Sequence, residues 1–262
     1  MTRIIDKINA IRKKRQQQQQ QTHHKEDATN TNANANAHDH DHDHDHDTKQ
    51  NLLPQNWYYS FEFFPPKTEA GLDNLLTRID RMSTRLDPLF IDVTWGESGS
   101  TSVRSMAVAS HAQRYCGVDV LLHLTCTGMT REQLAAILNQ AKSHGVQNIL
   151  ALRGDPPRGQ CKFSWSRGDV SGGECDRSID LVKLIRDLHG DYFGIACAGH
   201  PEGHPGSYSG QEELMHLKNK IEAGVDFIIT QFFYDAELFL DYVRRCRSVG
   251  IVCPILPGIL PM

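Results

Sequence analysis

From residue 50 onward, short β-rich runs alternate strictly with helical stretches, and few folds accept that order. The runs are 58–64, 89–95, 121–126, 147–153, 193–199, 227–233 and 252–259. Helical periodicity fills the intervals at 69–84, 102–115, 130–144, 179–189, 210–223 and 235–249. The stretch 130–144 shows the signals well. Thr130 is an N-cap, Glu132 sits in the first turn, Leu134, Ile137, Leu138 and Ala141 form an apolar stripe, and Gly145 closes the helix. Apolar strands joined by helices imply a parallel α/β sheet covered by helices.

A doubly wound open sheet and an eight-stranded (β/α)8 TIM-type barrel both fit this order. No GxGxxG follows the first strand, so the dinucleotide-binding open sheet lacks its usual support. Polar residues favour the barrel. Glu62, Thr94, Thr125, Arg153, Asp155, His200 and Gln231 fall at or just past the C-terminal ends of different strands. A barrel gathers those ends on one face, whereas an open sheet spreads them along a line. With seven strands in a body of 213 residues, the barrel is expected to be incomplete, short of its eighth strand. Such a barrel exposes two strand edges, an aggregation hazard.

Among the strand-end residues Glu62 is the most informative. It lies in Tyr58-Tyr59-Ser60-Phe61-Glu62-Phe63-Phe64-Pro65-Pro66, an aromatic strand stopped by prolines. Burying an unpaired carboxylate there costs several kcal/mol, on the order of 3 or more. Glu62 is therefore solvated or paired, or its pKa is raised for acid–base work.

Other residues admit two readings each. Arg153-Gly154-Asp155 closes the fourth strand. Gly154 lets a ligand approach the backbone, Arg153 offers a donor fork, and Asp155 adds a second carboxylate opposite Glu62; an Arg–Asp pair closing a loop is the alternative. His123 lies between leucines and reads first as a core residue. Thr94 and Gln231 suit hydrogen bonding to a heterocycle or helix capping. His200 and His204 have metal-like spacing, but Pro201 and Pro205 break the helix it needs, so no metal site is expected. Glu213 and Lys220 share a helix face, suited to hydroxyls and phosphate or merely solvated. No GxSxG, HExxH or GxxxxGK[ST] occurs.

Composition narrows the class. Net charge is −4 without a basic block in the body, which argues against nucleic-acid binding. Seven cysteines without CxxC spacing suit reduced thiols in a cytoplasmic protein. No apolar run is long enough to span a membrane, and no secretory signal core opens the chain. Residues 1–49 read as a disordered tail: six glutamines at 16–21, Asn/Ala repeats at 31–37 and a His-Asp alternation at 38–47. Ile4, Ile5, Ile8 and Ile11 have helical spacing among basic residues, and a frayed, solvated helix is expected for 1–15. Residues 50–262 form the catalytic body.

Six motifs occur in one order: Ser60-Phe61-Glu62-Phe63-Phe64-Pro65-Pro66, Asp92-Val93-Thr94-Trp95, His123-Leu124-Thr125-Cys126, Leu152-Arg153-Gly154-Asp155, Ile229-Thr230-Gln231-Phe232-Phe233 and Pro257-Gly258-Ile259-Leu260-Pro261. Together, over residues 57–262, they resemble the catalytic domain of methylenetetrahydrofolate reductase. The resemblance implies a barrel that binds FAD. NADPH or NADH reduces the flavin and leaves, and 5,10-methylenetetrahydrofolate then takes the hydride to become 5-methyltetrahydrofolate, the methyl donor for methionine synthesis. It implies that Glu62 is the general acid that opens the folate's five-membered ring. Asp155 would contact pterin and flavin, and Gln231 would read pterin and nicotinamide. The nicotinamide would also meet Glu62 and Thr94. FAD would be held by Thr94, Trp95, His123, Arg153, Gly154, Asp155, Arg177, Ser178, His200, His204, Glu213 and Lys220. The family commonly has Tyr at His200, Asp at Glu213 and Tyr-Ala at Arg177-Ser178. A homo-oligomer is compatible with the family. The alternative is a non-catalytic, truncated member that acts by pairing with a full-length subunit.

Overall fold

A computed structural model describes residues 2–32, 57–95, 102–154, 175, 177–203 and 209–260. Seven parallel strands pair in chain order: β1 (Ser60–Phe63), β2 (Phe90–Val93), β3 (Asp119–Thr125), β4 (Asn148–Leu152), β5 (Gly194–Gly199), β6 (Phe227–Phe232) and β7 (Ile255–Gly258). The helices are α1 (Ile4–Asn32), α2 (Glu69–Leu86), α3 (Ser102–His111), α4 (Arg131–Ser143), α5 (Ser178–His189), α6 (Gly210–Glu222) and α7 (Ala236–Ser248). Sequential order without a reversal excludes the doubly wound sheet. The sheet curls into an open barrel, and among the described residues β1 and β7 do not pair.

Strand pleating divides the core in two. Outward residues such as Ile91, Val93, Leu122, Leu124, Ile149, Ile195 and Ile228 pack against the helices. Inward residues Phe90, Leu121, Leu150, Ala196 and Phe227 form a separate cluster inside the barrel. This second cluster is closed by α1. Ile4, Ile5 and Ile8 of that helix are buried in it. The expectation of a solvated helix at 1–15 is not met at these positions. A three-turn apolar stripe is marginal alone, but here it meets an apolar barrel floor.

Polar contacts hold α1 at the strands' N-terminal ends. Asn148, fully buried at the start of β4, accepts from the Ile4 amide (2.7 Å) and donates to the Val120 carbonyl (3.3 Å). Lys7 pairs with buried Asp119, and Arg3 donates to the Asp191 carbonyl (3.2 Å). The helix expected at 102–115 ends early as α-helix and continues as a π-helical turn, Ala112–Cys116. Gln113 in that turn is buried, donates to Asp119 (3.3 Å) and accepts from the Val120 amide (3.1 Å). The wider turn thus delivers a side chain that positions the start of β3.

The helices begin where caps demand. Thr130 accepts from the Gln133 amide (3.3 Å), and Gln133 returns a bond from its side chain (2.9 Å), closing a capping box on α4. Asp235 caps α7 through the Glu237 and Leu238 amides. No described helix is long and apolar enough to cross a membrane.

Ile8→Ala is expected to cost about 2–4 kcal/mol of stability. Ile11→Ala, at a partly exposed position of the same helix, is expected to stay within about 0.5 kcal/mol. Urea unfolding of the two variants checks this; equal midpoints would mean that α1 does not seal the barrel floor.

Candidate active site

The strands' C-terminal ends surround an open cavity of ≈ 2190 Å³. Ligand pockets for single small molecules usually hold no more than roughly 1,000 Å³, so this one has room for two ligands side by side. Above the apolar floor the inward side chains turn polar. Glu62 on β1, Asp92 on β2 and His123 on β3 come first, then Thr94, Thr125, Gly154, His200 and Gln231 at the strand ends, all lining the cavity.

Glu62 points into the cavity with its side chain 51% exposed. Pleating turns Phe61 and Phe63 to the other face, where they join the core beneath the helices. Desolvation by burial pushes the Glu62 pKa up; the His123 imidazole lowers it and the Asp92 carboxylate raises it.

His123 is not an ordinary core residue. It is buried, with Nδ1 4.0 Å from a Glu62 oxygen and Nε2 3.5 Å from an Asp92 oxygen. Asp92 is 5% exposed and was absent from the expected site. A signal existed: an acid inside the apolar run Leu89–Val93 is as costly as Glu62 in its own strand.

Thr94, Trp95, Arg153, Gly154, His200 and Gln231 near strand ends, Arg177 and Ser178 at the start of α5, and Glu213 and Lys220 on α6 all border the same cavity. Asp155 and His204 lie outside the described residues, as does the His-Asp tract. Buried Trp95 leaves its indole N–H without a hydrogen-bond partner among the described residues. His200 Nδ1 lies 3.4 Å from a Glu213 oxygen, tying the end of β5 to α6. Gly154 holds φ +101°, and a Cβ there would sit 3.1 Å from Thr125 Cβ. Glycine is required both by the left-handed backbone and by the space.

Two aromatic residues at the cavity rim were not expected as site residues. Phe64 is 72% and Phe232 53% exposed, and Phe232 meets Tyr234 edge to face. Such exposed rings beside polar groups suit stacking on flat heterocycles. Outside the cavity, Asp80, His111 and Cys116 bring their ligand atoms within 4.8 Å of one another. Asp80 there accepts from the Cys116 thiol (2.9 Å) and from His111 (3.1 Å).

Comparison with known proteins agrees with this geometry. The family model for methylenetetrahydrofolate reductase matches residues 48–262. A probable methylenetetrahydrofolate reductase (NADH) from Oryza sativa subsp. japonica is 49% identical over 214 residues, covering 78% of this chain and 35% of the rice protein. A probable methylenetetrahydrofolate reductase (NADPH) from Caenorhabditis elegans is 40% identical over 210 residues, covering 78% of this chain and 30% of its own. The 5,10-methylenetetrahydrofolate reductase of Pectobacterium carotovorum is 40% identical over 204 residues, covering 78% of this chain and 63% of its own. The chain thus spans about a third of the length of the plant and nematode relatives. Among solved structures, an uncharacterized protein from Clostridium thermocellum, described as binding two copies of 5-methyl-5,6,7,8-tetrahydrofolic acid, has the same fold at TM-score 0.52 and 16% identity. That match covers 76% of this chain and 64% of the other.

Because the folded pKa of Glu62 is raised, the protein binds this proton more tightly folded than unfolded. Its carboxyl therefore favours the fold below the ordinary glutamate value, about 4.3. That contribution is lost as pH rises through the folded value. Glu62→Gln is expected to melt higher than the parent at pH 8 and to lose that advantage near pH 4, as read by paired thermal melts. An advantage that grows toward acid would contradict the raised pKa.

Proposed function

Because the chain belongs to the methylenetetrahydrofolate reductase family, we propose that its barrel carries the reductase reaction at the cavity above the strands. In this reading FAD is bound, NADPH or NADH donates a hydride, and 5,10-methylenetetrahydrofolate is reduced to 5-methyltetrahydrofolate. The observation that carries it is Glu62, a carboxyl with a raised pKa facing a cavity large enough for a flavin and a second ring system. The reading also rests on the relatives, which include both NADH and NADPH enzymes, so the nicotinamide preference is left to the assay below.

The residues present fit a flavin dinucleotide. The unpartnered indole N–H of Trp95 waits for an acceptor beside the cavity. Gly154 removes the side chain that would otherwise stand between backbone and ligand. Arg177 and Ser178 open α5 at the cavity, where a helix N-terminus and a guanidinium favour a pyrophosphate. Lys220 offers another cation, and the His200–Glu213 pair offers polar contacts for ribose or ribityl hydroxyls. Thr94, Asp155 and His204 belong to the same proposed set. The flavin, when bound, supplies the hydride chemistry.

The chain's own residues orient and protonate. Glu62, whose pKa is raised by desolvation, gives a proton to a folate ring nitrogen, so that the five-membered ring opens toward the species that accepts hydride. Gln231 projects its amide from the end of β6, with a donor and an acceptor to read a pterin edge and, in the other half-reaction, a carboxamide. Asp155 is proposed to stabilise developing positive charge on the pterin. Phe64 and Phe232 supply stacking faces at the rim. Six described cysteines are free, which suits the reducing cytoplasm proposed for this enzyme.

The purified chain is expected to show flavin absorbance bands. Glu62→Gln is expected to retain flavin reduction by the nicotinamide within several-fold, while folate turnover falls about 10²-fold or more. Stopped-flow measurement of each half-reaction checks this. Equal loss in both would remove Glu62 as the folate acid. A folded chain without flavin bands would favour a non-catalytic member that works by associating with a full-length subunit.

A further inference from the structure

Asp92 has no role in the reaction as described so far, yet its position is hard to explain otherwise. It sits mid-strand on β2, 5% exposed, in register with Glu62 on β1 and Leu121 on β3. A carboxylate so placed needs a partner. Among the described residues its polar contact is His123, whose Nε2 lies 3.5 Å from Oδ1. The other ring nitrogen, Nδ1, lies 4.0 Å from a Glu62 oxygen. Three titratable side chains on three adjacent strands thus form one chain, with the imidazole between two carboxyls.

We propose that Asp92 is a positioning residue for the Glu62 acid, acting through His123. The Asp92 carboxylate accepts from Nε2–H, which fixes both the ring plane and the tautomer of His123. Nδ1 is then the nitrogen presented to Glu62. When the imidazole is neutral, Nδ1 is an acceptor toward the Glu62 carboxyl proton. When it is cationic, Nδ1–H faces the Glu62 carboxylate across 4.0 Å, and the buried Asp92 charge offsets the imidazolium.

That offset decides whether Glu62 works as an acid. An imidazolium alone beside Glu62 would favour the carboxylate and discharge it. With Asp92 behind the ring the pair has little net charge, and desolvation by burial still raises the Glu62 pKa. Among the described residues, the other ionisable groups lining the cavity are Arg153 after β4, Arg177 before α5, His200 after β5, Glu212, Glu213, His216 and Lys220 on α6, and Tyr242 on α7. His123 and Asp92 are the charged groups that act on Glu62 across β1, β2 and β3. This inference rests on the reading of Glu62 as the folate acid, and it adds the residue that keeps it one.

The test is NMR on the full chain, with 15N-labelled His and carboxyl-13C-labelled Glu. Glu62→Gln and His123→Gln identify the two signals. His123 is expected to be the Nε2–H tautomer when neutral. Asp92→Asn retains an acceptor without the charge, so it is expected to keep that tautomer while the Glu62 titration midpoint falls by about half a pH unit or more. Asp92→Ala is expected to lose the tautomer preference as well. An Nδ1–H tautomer in the parent, or a Glu62 midpoint unmoved in Asp92→Asn, would overturn the proposal. Should Asp92→Ala fail to fold, Asp92→Asn alone decides. Neither readout needs flavin or folate. A missing flavin spectrum would therefore count against the proposed reaction and leave the Asp92 result to be judged by itself.

Discussion

The structure depends on one constraint: a parallel strand in a curled sheet is buried on both faces, but the two faces answer to different partners. The outer face meets helices and can be apolar along its whole length. The inner face meets itself across the barrel. Its lower layer, Phe90, Leu121, Leu150 and Phe227, closes on Ile4 and Ile8 of α1. Its upper layers meet no such helix among the described residues and hold Glu62, Asp92, His123 and the strand-end residues. The site exists because the apolar filling stops partway up each strand. Asn148 marks how tightly the bottom is held, since a fully buried amide there bonds both α1 and β3.

This division explains what was legible in the sequence. Strand and helix order was readable to within a few residues, because local periodicity and caps such as Thr130 and Asp235 carry it. Residues at strand ends were readable as a site, because a barrel gathers them whatever their identity. Two features were not readable, each for a physical reason. The docking of α1 depends on residues from Phe90 to Phe227, which no local pattern joins to Ile4. His123 looked like a core residue because its two polar partners come from two other strands.

Glu62 presents a balance that a simpler environment would not allow. A fully buried carboxyl would hold its proton but could not meet a substrate, and a fully solvated one would lose the proton near pH 4. Glu62 is half exposed to a cavity and still has a raised pKa. A ligand that fills the cavity would remove water from the same carboxyl and raise the pKa further. Substrate entry and the readiness to donate are then coupled through one desolvation step.

The same argument bears on why a histidine stands beside such an acid. An apolar side chain at 123 would desolvate Glu62 more strongly, but it would leave the carboxyl without a polar neighbour after the proton has gone. The imidazole gives the spent carboxylate a donor, and Asp92 limits how far that donor stabilises it. Deep burial of Asp92 matters here, because a solvated carboxylate would be screened and would offset little of the imidazolium. In the proposed reaction, the order acid, imidazole, buried acid across β1, β3 and β2 would suit a group that releases a proton and takes one back in each cycle.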